Sequence, residues 1–125
     1  MGVQTVMNYG INLRILVSLT ETNQRNFKMV SINFLGKKVT LKLVNRTYDN
    51  GRIAIEAVTG GESFGILTVN IPNADLAKDE VCVKVWNENA YWVPQVLSSL
   101  KDRFVPTGRE IRTGFVSAPV YRLVS

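Results

Sequence analysis

The chain has 125 residues, a length that fits one folded domain, and its 46% hydrophobic and 20% charged residues are typical of a globular protein. It contains no histidine, which removes the commonest general base and metal ligand, and its single cysteine excludes an intrachain disulfide and a structural zinc site. We therefore predict that the protein is not an enzyme and that it uses no cofactor and no metal.

The compartment is predicted from the same sequence. No apolar run approaches the roughly 18 residues of a membrane span, and residues 1–5 lack the basic region of a secretory signal. Cys82 falls in an apolar alternation that is typical of a buried strand, so a reducing environment is the simplest assumption. We expect a cytoplasmic protein that binds no membrane.

The net charge of +5 is distributed unevenly along the chain. Residues 25–52 contain seven bases and one acid, whereas residues 75–88 contain four acids and two bases. A basic chain favours an acidic partner, such as nucleic acid or an acidic protein surface. The charge distribution predicts a dipolar molecule that is basic early in the chain and acidic in the middle.

The first 28 residues differ from the rest. Residues 9–19 alternate like a strand, and residues 20–26 form a polar run that is typical of a linker or long loop. We predict that residues 1–28 are an N-terminal arm or appended strand with a linker, and that residues 29–125 form a single domain.

The middle of the chain has the pattern of a β-meander. Residues 30–34 and 38–43 alternate between apolar and polar side chains, with Val39, Leu41 and Leu43 on the core face. Gly51 follows Tyr48 at the spacing of a three-residue hairpin loop, which predicts that residues 53–57 return antiparallel. Residues 59–62 form a second turn, and residues 64–71 a third strand that ends at Pro72.

The period changes after an acidic loop at residues 73–80 and a strand at residues 81–86. Apolar residues from Val93 to Phe104 recur at three- and four-residue steps, which predicts a helix over about residues 90–104 that ends at Pro106. Residues 109–116 and 120–124 read as a last strand pair. The predicted fold is α+β: a mainly antiparallel sheet of five to seven strands with one helix packed on one face.

Catalytic alternatives are weak in this sequence. Gly60 and Gly61 are not followed by the lysine and helix of a phosphate-binding loop, so we interpret them as a hairpin turn. Three carboxylates, Glu56, Glu62 and Glu110, would need to meet in space to act as an acid–base pair, and we expect them to be solvated on sheet faces.

A first candidate site is a basic hairpin face that could follow phosphates, with Tyr48 placed to stack on a base. A sheet that binds nucleic acid usually exposes alternating aromatics, whereas Phe34, Phe64 and Phe115 look like core residues in this chain. An ordinary solvated strand face is therefore the favoured interpretation. The residues of this candidate are Lys37, Lys38, Lys42, Arg46 and Arg52.

A second candidate site combines the acidic segment with an aromatic cluster. Tryptophan and tyrosine close together next to acidic residues resemble an anchor of a protein interface. Packing of both tryptophans in the core is the competing interpretation and is favoured. The residues are Asp75, Asp79, Glu80 and Glu88, with Trp86, Tyr91 and Trp92.

Several short motifs occur in order, at residues 36–43, 48–55, 67–72, 83–84 with 87–89, 106–108, 114–116 and 119–120. Together they resemble a small family with a domain of unknown function, found in short proteins of phages, plasmids and conjugative elements of Gram-positive and gut bacteria. The resemblance covers residues 32–124 and carries no catalytic residues. It implies an accessory protein of a mobile element, of the kind that antagonises host defence, as anti-CRISPR proteins do.

These observations lead to one favoured function and one alternative. The favoured hypothesis is a non-catalytic protein that binds a host protein, as an inhibitor of a CRISPR effector or other defence nuclease. The alternative is a small nucleic-acid-binding module that uses the basic hairpin face. A monomer and a homodimer formed through a sheet edge both remain open.

Overall fold

The computed structural model describes residues 13–14 and 28–124 of the chain. Of the predicted strand over residues 9–19, only residues 13–14 are among them. The predicted linker over residues 20–26 lies outside the described residues. The strands are β1 (Leu13–Arg14), β2 (Lys28–Phe34), β3 (Lys37–Tyr48), β4 (Ile53–Thr59), β5 (Glu62–Ile66), β6 (Thr68–Val69), β7 (Glu80–Val83), β8 (Phe104–Thr113) and β9 (Val116–Leu123). A 3₁₀ helix (Asn87–Tyr91) and an α-helix, α1 (Val93–Ser99), lie between β7 and β8.

Mainly antiparallel strands and a single α-helix in the described part of the chain confirm the coarse prediction, but the single sheet was wrong. The strands of residues 13–14 and 28–124 form two antiparallel sheets. In the first sheet, the long strand β3 pairs with β2 along its first half and with β4 along its second half. The last two residues of β3 also pair with β1, and β5 pairs with β4. The second has the order β6-β7-β9-β8.

The chain changes sheets at Leu67, inside the segment predicted as one strand. The Leu67 amide donates to the Ile55 carbonyl in the first sheet (2.8 Å), and the Leu67 carbonyl accepts from the Lys84 amide beside the second (2.9 Å). The apolar run over residues 64–71 is therefore divided between β5 and β6. Alternation along a chain cannot reveal such a change, because both halves remain extended.

The main core lies between the two sheets and α1. Its fully buried side chains come from β3, β4, β7 and the helix, among them Leu41, Val83, Val93 and Val96, each 0% exposed. Leu43 is also buried and Val39 packs against this core, which confirms the predicted core face of β3. A smaller cluster around Cys82 covers the other face of the second sheet, and burial raises the pKa of the Cys82 thiol.

The second face of β3 is also covered, which the sequence did not suggest. Val44 and Tyr48 are buried on it, together with Ala54 and Glu56 of the neighbouring strand. Glu56 was expected to be solvated, yet its exposure is 0%. The centre of the first sheet is thus buried on both faces, and the charged groups there must be paired.

The predicted helix was too long at both ends. The chain over residues 87–91 is a 3₁₀ helix, and α1 ends at Ser99, where the Leu100 amide still donates to Val96. Phe104 is buried as the first residue of β8 rather than as the last turn of a helix. Its spacing from Leu100 fits either structure, because a buried strand residue and a helix residue look alike in an apolar pattern.

Pro106 lies inside β8 and does not end a helix. The pairing of β8 with β9 shifts register between Pro106 and Glu110, and Gly108 has a φ of +86° in this irregular stretch. A proline is tolerated there because β8 is an edge strand. The hairpin turn between the two strands exposes Phe115 by 99%, so its predicted place in the core was wrong.

None of the helices in the described part of the chain has the length and apolar character that a membrane-spanning helix needs.

Candidate functional site

The acidic candidate residues do not form one surface. Asp75, Asp79 and Glu88 are exposed, but the Glu80 side chain is only 17% exposed and is held by Arg109, whose Nη2 donates to Oε1 over 2.8 Å. A hydrogen bond from the Ala77 amide lowers the pKa of Glu80 most, and Arg109 lowers it further. The negative charge of Glu80 is therefore compensated by Arg109, which also donates to the carbonyl of Asp75.

The basic hairpin candidate is also divided by the structure. Lys37 and Lys38 are exposed and Lys42 is half-buried. The side chains of Arg46 and Arg52 donate to other groups of the same chain. Arg46 pairs with the buried Glu56, and Arg52 donates to the carbonyls of residues 71 and 74, the latter over 2.7 Å. A continuous basic face from the turn to the strand end is not formed by these residues.

Tyr48 cannot stack on a base as the sequence suggested. It is 6% exposed, and its hydroxyl forms a 3.0 Å hydrogen bond with Thr68. The Thr68 hydroxyl also accepts from the Ile55 amide over 3.2 Å. Burial raises the pKa of Tyr48, and the hydrogen bond to Thr68 opposes that rise. Tyr48 therefore joins the two sheets where the chain crosses between them.

The three aromatic candidates have three different environments. Trp92 is 2% exposed in the main core, and Trp86 is half-buried against the smaller cluster around Cys82. Tyr91 is 61% exposed. Of the three, Tyr91 alone offers most of its ring to a partner.

A groove of about 720 Å³ runs along one end of the main core and collects several of these residues. One wall is a chain of edge-to-face aromatic contacts, from Phe34 to Phe64 with ring centres 5.1 Å apart, and from Phe64 to Trp92 with ring centres 5.3 Å apart. Gly65 lies under the indole, and a Cβ at this position would be 2.9 Å from Cζ2 of Trp92. The aromatic wall therefore requires glycine at position 65.

Part of the lining of this aromatic groove is polar. The polar lining residues are Asn70, Lys84, Glu88 and Asn89. Asn89 is 7% exposed, and its side-chain amide donates to the carbonyls of Ile66 (2.8 Å) and Lys84 (3.1 Å). These bonds fasten the 3₁₀ helix to the sheet, so that Glu88 is held at the groove. The ion pairs within residues 28–124 are Arg46–Glu56 and Arg109–Glu80, so neither Lys84 nor Glu88 is neutralised by a described residue.

Two exposed apolar residues are chain neighbours of residues that line the groove: Leu35 follows Phe34, and Tyr91 precedes Trp92. Gln95 connects their segments: its side-chain nitrogen donates to the carbonyls of Tyr91 (2.9 Å) and Asn33 (2.8 Å), and its oxygen accepts from the Asn33 amide (2.8 Å). Phe34 of the wall follows Asn33, and Leu35 comes next at the tip of the hairpin. Gln95 therefore connects the backbone segment that carries Tyr91, which is 61% exposed, with the hairpin that carries Leu35, which is 74% exposed.

Leu35 has an unfavourable backbone conformation. Its φ is +53° and that of Gly36 is +84°, the pattern of a two-residue type I′ turn between β2 and β3. Asparagine or glycine is the usual first residue of such a turn, and a bulky side chain with positive φ is uncommon and strained. The sequence carries a signal for the turn, because Leu35-Gly36 separates two alternating runs, but Leu35 is not among the predicted site residues.

The carboxylates do not form an acid–base site. Glu56 is buried and paired with Arg46, Glu62 lies exposed in β5, and Glu110 lies exposed in β8 of the other sheet. Among the residues that the structure describes, no group of three or more cysteine, aspartate or glutamate side chains is placed to hold a metal ion.

Comparisons with known proteins give no relatives: the chain matches no family model, no curated protein and no solved structure.

Proposed function

We propose that this chain is a non-catalytic accessory protein of a mobile element that binds a host protein through the aromatic groove. The observation that carries this proposal is a pair of exposed apolar side chains, Leu35 and Tyr91, that are chain neighbours of the wall residues Phe34 and Trp92. Aromatic residues in a well-packed depression are the usual energetic centre of a protein interface.

The turn at Leu35 supports a binding role. A leucine that is 74% exposed contributes little to the core, and its φ of +53° costs stability that asparagine would not cost. Strained residues with no structural benefit are concentrated at functional positions. We therefore assign Leu35 as an anchor that becomes buried when the partner binds.

The rigidity of the groove also supports this role. Trp92 is fixed between Phe64 and Gly65, and Asn89 holds the 3₁₀ helix through two hydrogen bonds. A preformed surface loses little conformational entropy on binding, so more of the contact energy appears as affinity. Glu88 and Lys84 would then select the orientation of the partner through charge.

The partner class that we propose is a host defence nuclease, such as a CRISPR effector. The resemblance of residues 32–124 to accessory proteins of mobile elements supports this choice. The nucleic-acid alternative is weakened because Arg46 and Arg52 are engaged inside the fold, which leaves Lys37 and Lys38 as the exposed bases of that candidate.

The test compares three variants in a tagged pull-down from host lysate, with and without added nuclease. Tyr91→Ala removes one anchor, and Leu35→Asn removes the other while placing a residue that favours the turn. Met29→Ala is the matched control, because Met29 is as exposed as Tyr91, 61%, but lies near the other end of β2. Unfolding midpoints in urea are measured for all proteins.

We expect Tyr91→Ala and Leu35→Asn to lose the captured protein in nuclease-treated lysate, while Met29→Ala retains it. Leu35→Asn should be at least as stable as the parent chain, which separates binding from folding. The captured protein is then tested for nuclease activity and for its inhibition by the parent chain. Recovery of nucleic acid alone, lost on nuclease treatment, would favour the alternative and refute this proposal.

A further inference from the structure

A second opening in the main core lies at the other end of β2 from the aromatic groove. It is a cleft of about 340 Å³ between the two sheets, and residues of both sheets line it. Leu43 and Ile55 of the first sheet and Phe104 of the second, all 5% exposed or less, form its floor, and Leu123 contributes to the lining. The described residues therefore leave the core open at this end, with an apolar floor.

The position of Lys28 explains why residues 28–124 do not close the core at this end. In β2, Val30 and Ile32 are buried, whereas Met29 and Ser31 are exposed, so even-numbered residues face the core. Lys28 continues this alternation and pairs with Leu43. A lysine occupies the place where an apolar side chain would complete the core, and Asn45 of β3 is a second polar residue in the lining.

The charges at this cationic cleft are unbalanced. Lys28, Lys78 and Arg103 line it with one acid, Asp79. The ion pairs of residues 28–124 involve none of these four side chains. Arg103 is held in place, because its Nη1 donates to the carbonyl of Val124 over 3.2 Å and its amide donates to Leu100. Among the described lining residues, three cations and one acid therefore lie around an apolar floor.

We propose that the cationic cleft binds a small amphipathic anion, in which an apolar chain lies on the floor and a carboxylate meets the cations. The cleft has the size of known small-ligand sites, which are commonly about 300–1,000 Å³, mainly apolar and equipped with a few polar groups. Lys28 and Lys78 would bind the carboxylate as flexible point charges, and Arg103 would contribute planar donors.

The first experiment titrates the full chain with octanoate, and in parallel with octylammonium, which has the same apolar chain and the opposite charge. Binding is followed by chemical-shift changes of backbone amides and methyl groups. We expect saturable shifts from octanoate at Leu43, Ile55 and Leu123 and none there from octylammonium. Shorter carboxylates should bind more weakly, by up to about fourfold for each methylene removed.

The second experiment uses charge-neutral variants that should fold normally, because the side chains are not fully buried. Lys28→Gln and Lys78→Gln should each weaken octanoate binding by about two- to fivefold. Lys37→Gln carries the same charge change at the turn between β2 and β3, which is the end of β2 opposite to Lys28. It should leave octanoate binding unchanged. Raising the salt concentration should reduce the difference between the variants and the parent chain.

Three results would overturn the proposal: no saturable shift from octanoate, equal binding of octylammonium, or shifts that map away from the cleft. None of these results depends on the proposed host partner. Leu35→Asn and Tyr91→Ala lie outside the cleft and should bind octanoate as the parent chain does. Failure at one site can thus be distinguished from failure at the other.

Discussion

The buried ion pair of Arg46 and Glu56 gives the sharpest prediction about stability. Nε of Arg46 lies 2.7 Å from Oε1 of Glu56, and the side chains are 14% and 0% exposed. The second carboxylate oxygen, Oε2, has no hydrogen-bond partner among the described residues. Glu56 thus depends on Arg46 for its charge compensation, and its other oxygen already lacks the hydrogen bonds that water would supply.

Substituting Arg46→Met leaves this carboxylate buried without a partner. Breaking a buried pair in this way costs about 3–5 kcal/mol, against a total stability of about 5–15 kcal/mol for a domain. Glu56→Met should cost less, because the arginine head that remains is partly exposed and can reach water. The double substitution Arg46→Met with Glu56→Met removes both charges and should be close to neutral, since well-packed apolar residues replace such pairs without loss.

The assay is urea unfolding of the four proteins at neutral pH, with the slope of each transition compared to confirm a two-state reaction. Arg112→Met serves as the control, because Arg112 is exposed on the edge strand β8. A loss of less than about 1 kcal/mol in Arg46→Met, the range of an exposed pair, would show that Glu56 does not depend on Arg46. A loss in the double variant equal to the sum of the two single losses would show the same.

Two further predictions concern the groove wall and the sheet crossing. Gly65→Ala should cost about 1–3 kcal/mol in urea unfolding, because the new methyl group meets the fixed indole of Trp92; a change near zero would contradict the tight contact. Tyr48→Phe should cost about 1 kcal/mol for the lost bond to Thr68. Because burial raises the pKa of Tyr48 above 10.0, its contribution is complete below that pH and is lost as the pH rises through the folded-state pKa. Stability above pH 10 should therefore fall less steeply in Tyr48→Phe than in the parent chain, and equal slopes would contradict this assignment.

Local features of this fold were predictable from the sequence. The loop after Tyr48 forms as expected, with φ of +86° at Gly51 and a 2.8 Å bond from its amide to the Tyr48 carbonyl. Only a residue without a Cβ adopts this conformation without strain, so the chain itself carries the information. Apolar residues at helical spacing likewise located α1, although not its ends.

Non-local features were not predictable. The change of sheets at Leu67 depends on bonds to Ile55 and Lys84, which are 12 and 17 positions away in the chain. The burial of Glu56 depends on what covers the second face of β3, and alternation shows only that two faces exist. Arg46 and Glu56 are each ordinary surface residues by type, and their pairing across β3 and β4 is what makes them structural.

The site residues divide in the same way. Tyr91 was selected from its aromatic type, whereas selecting Leu35 requires its backbone angle, and the cationic cleft is visible only once the two sheets are placed. Asp79 and Glu88 belong to one acidic segment in the sequence, yet Glu88 lines the aromatic groove and Asp79 lines the cleft. A run of like charges in a sequence therefore did not correspond to one surface.

The aromatic groove and the cationic cleft lie at the two ends of the same strand, β2. Phe34 of the groove and Lys28 of the cleft are the last and first residues of β2, a seven-residue strand that spans about 20 Å. Between them, Val30 and Ile32 are buried against the centre of the core. A two-sheet core of this size is closed in the middle and must be closed at its ends by particular side chains. At one end this chain places a strained, exposed leucine, and at the other a lysine. Neither choice improves packing, and this is the reason that we propose a binding site at each end.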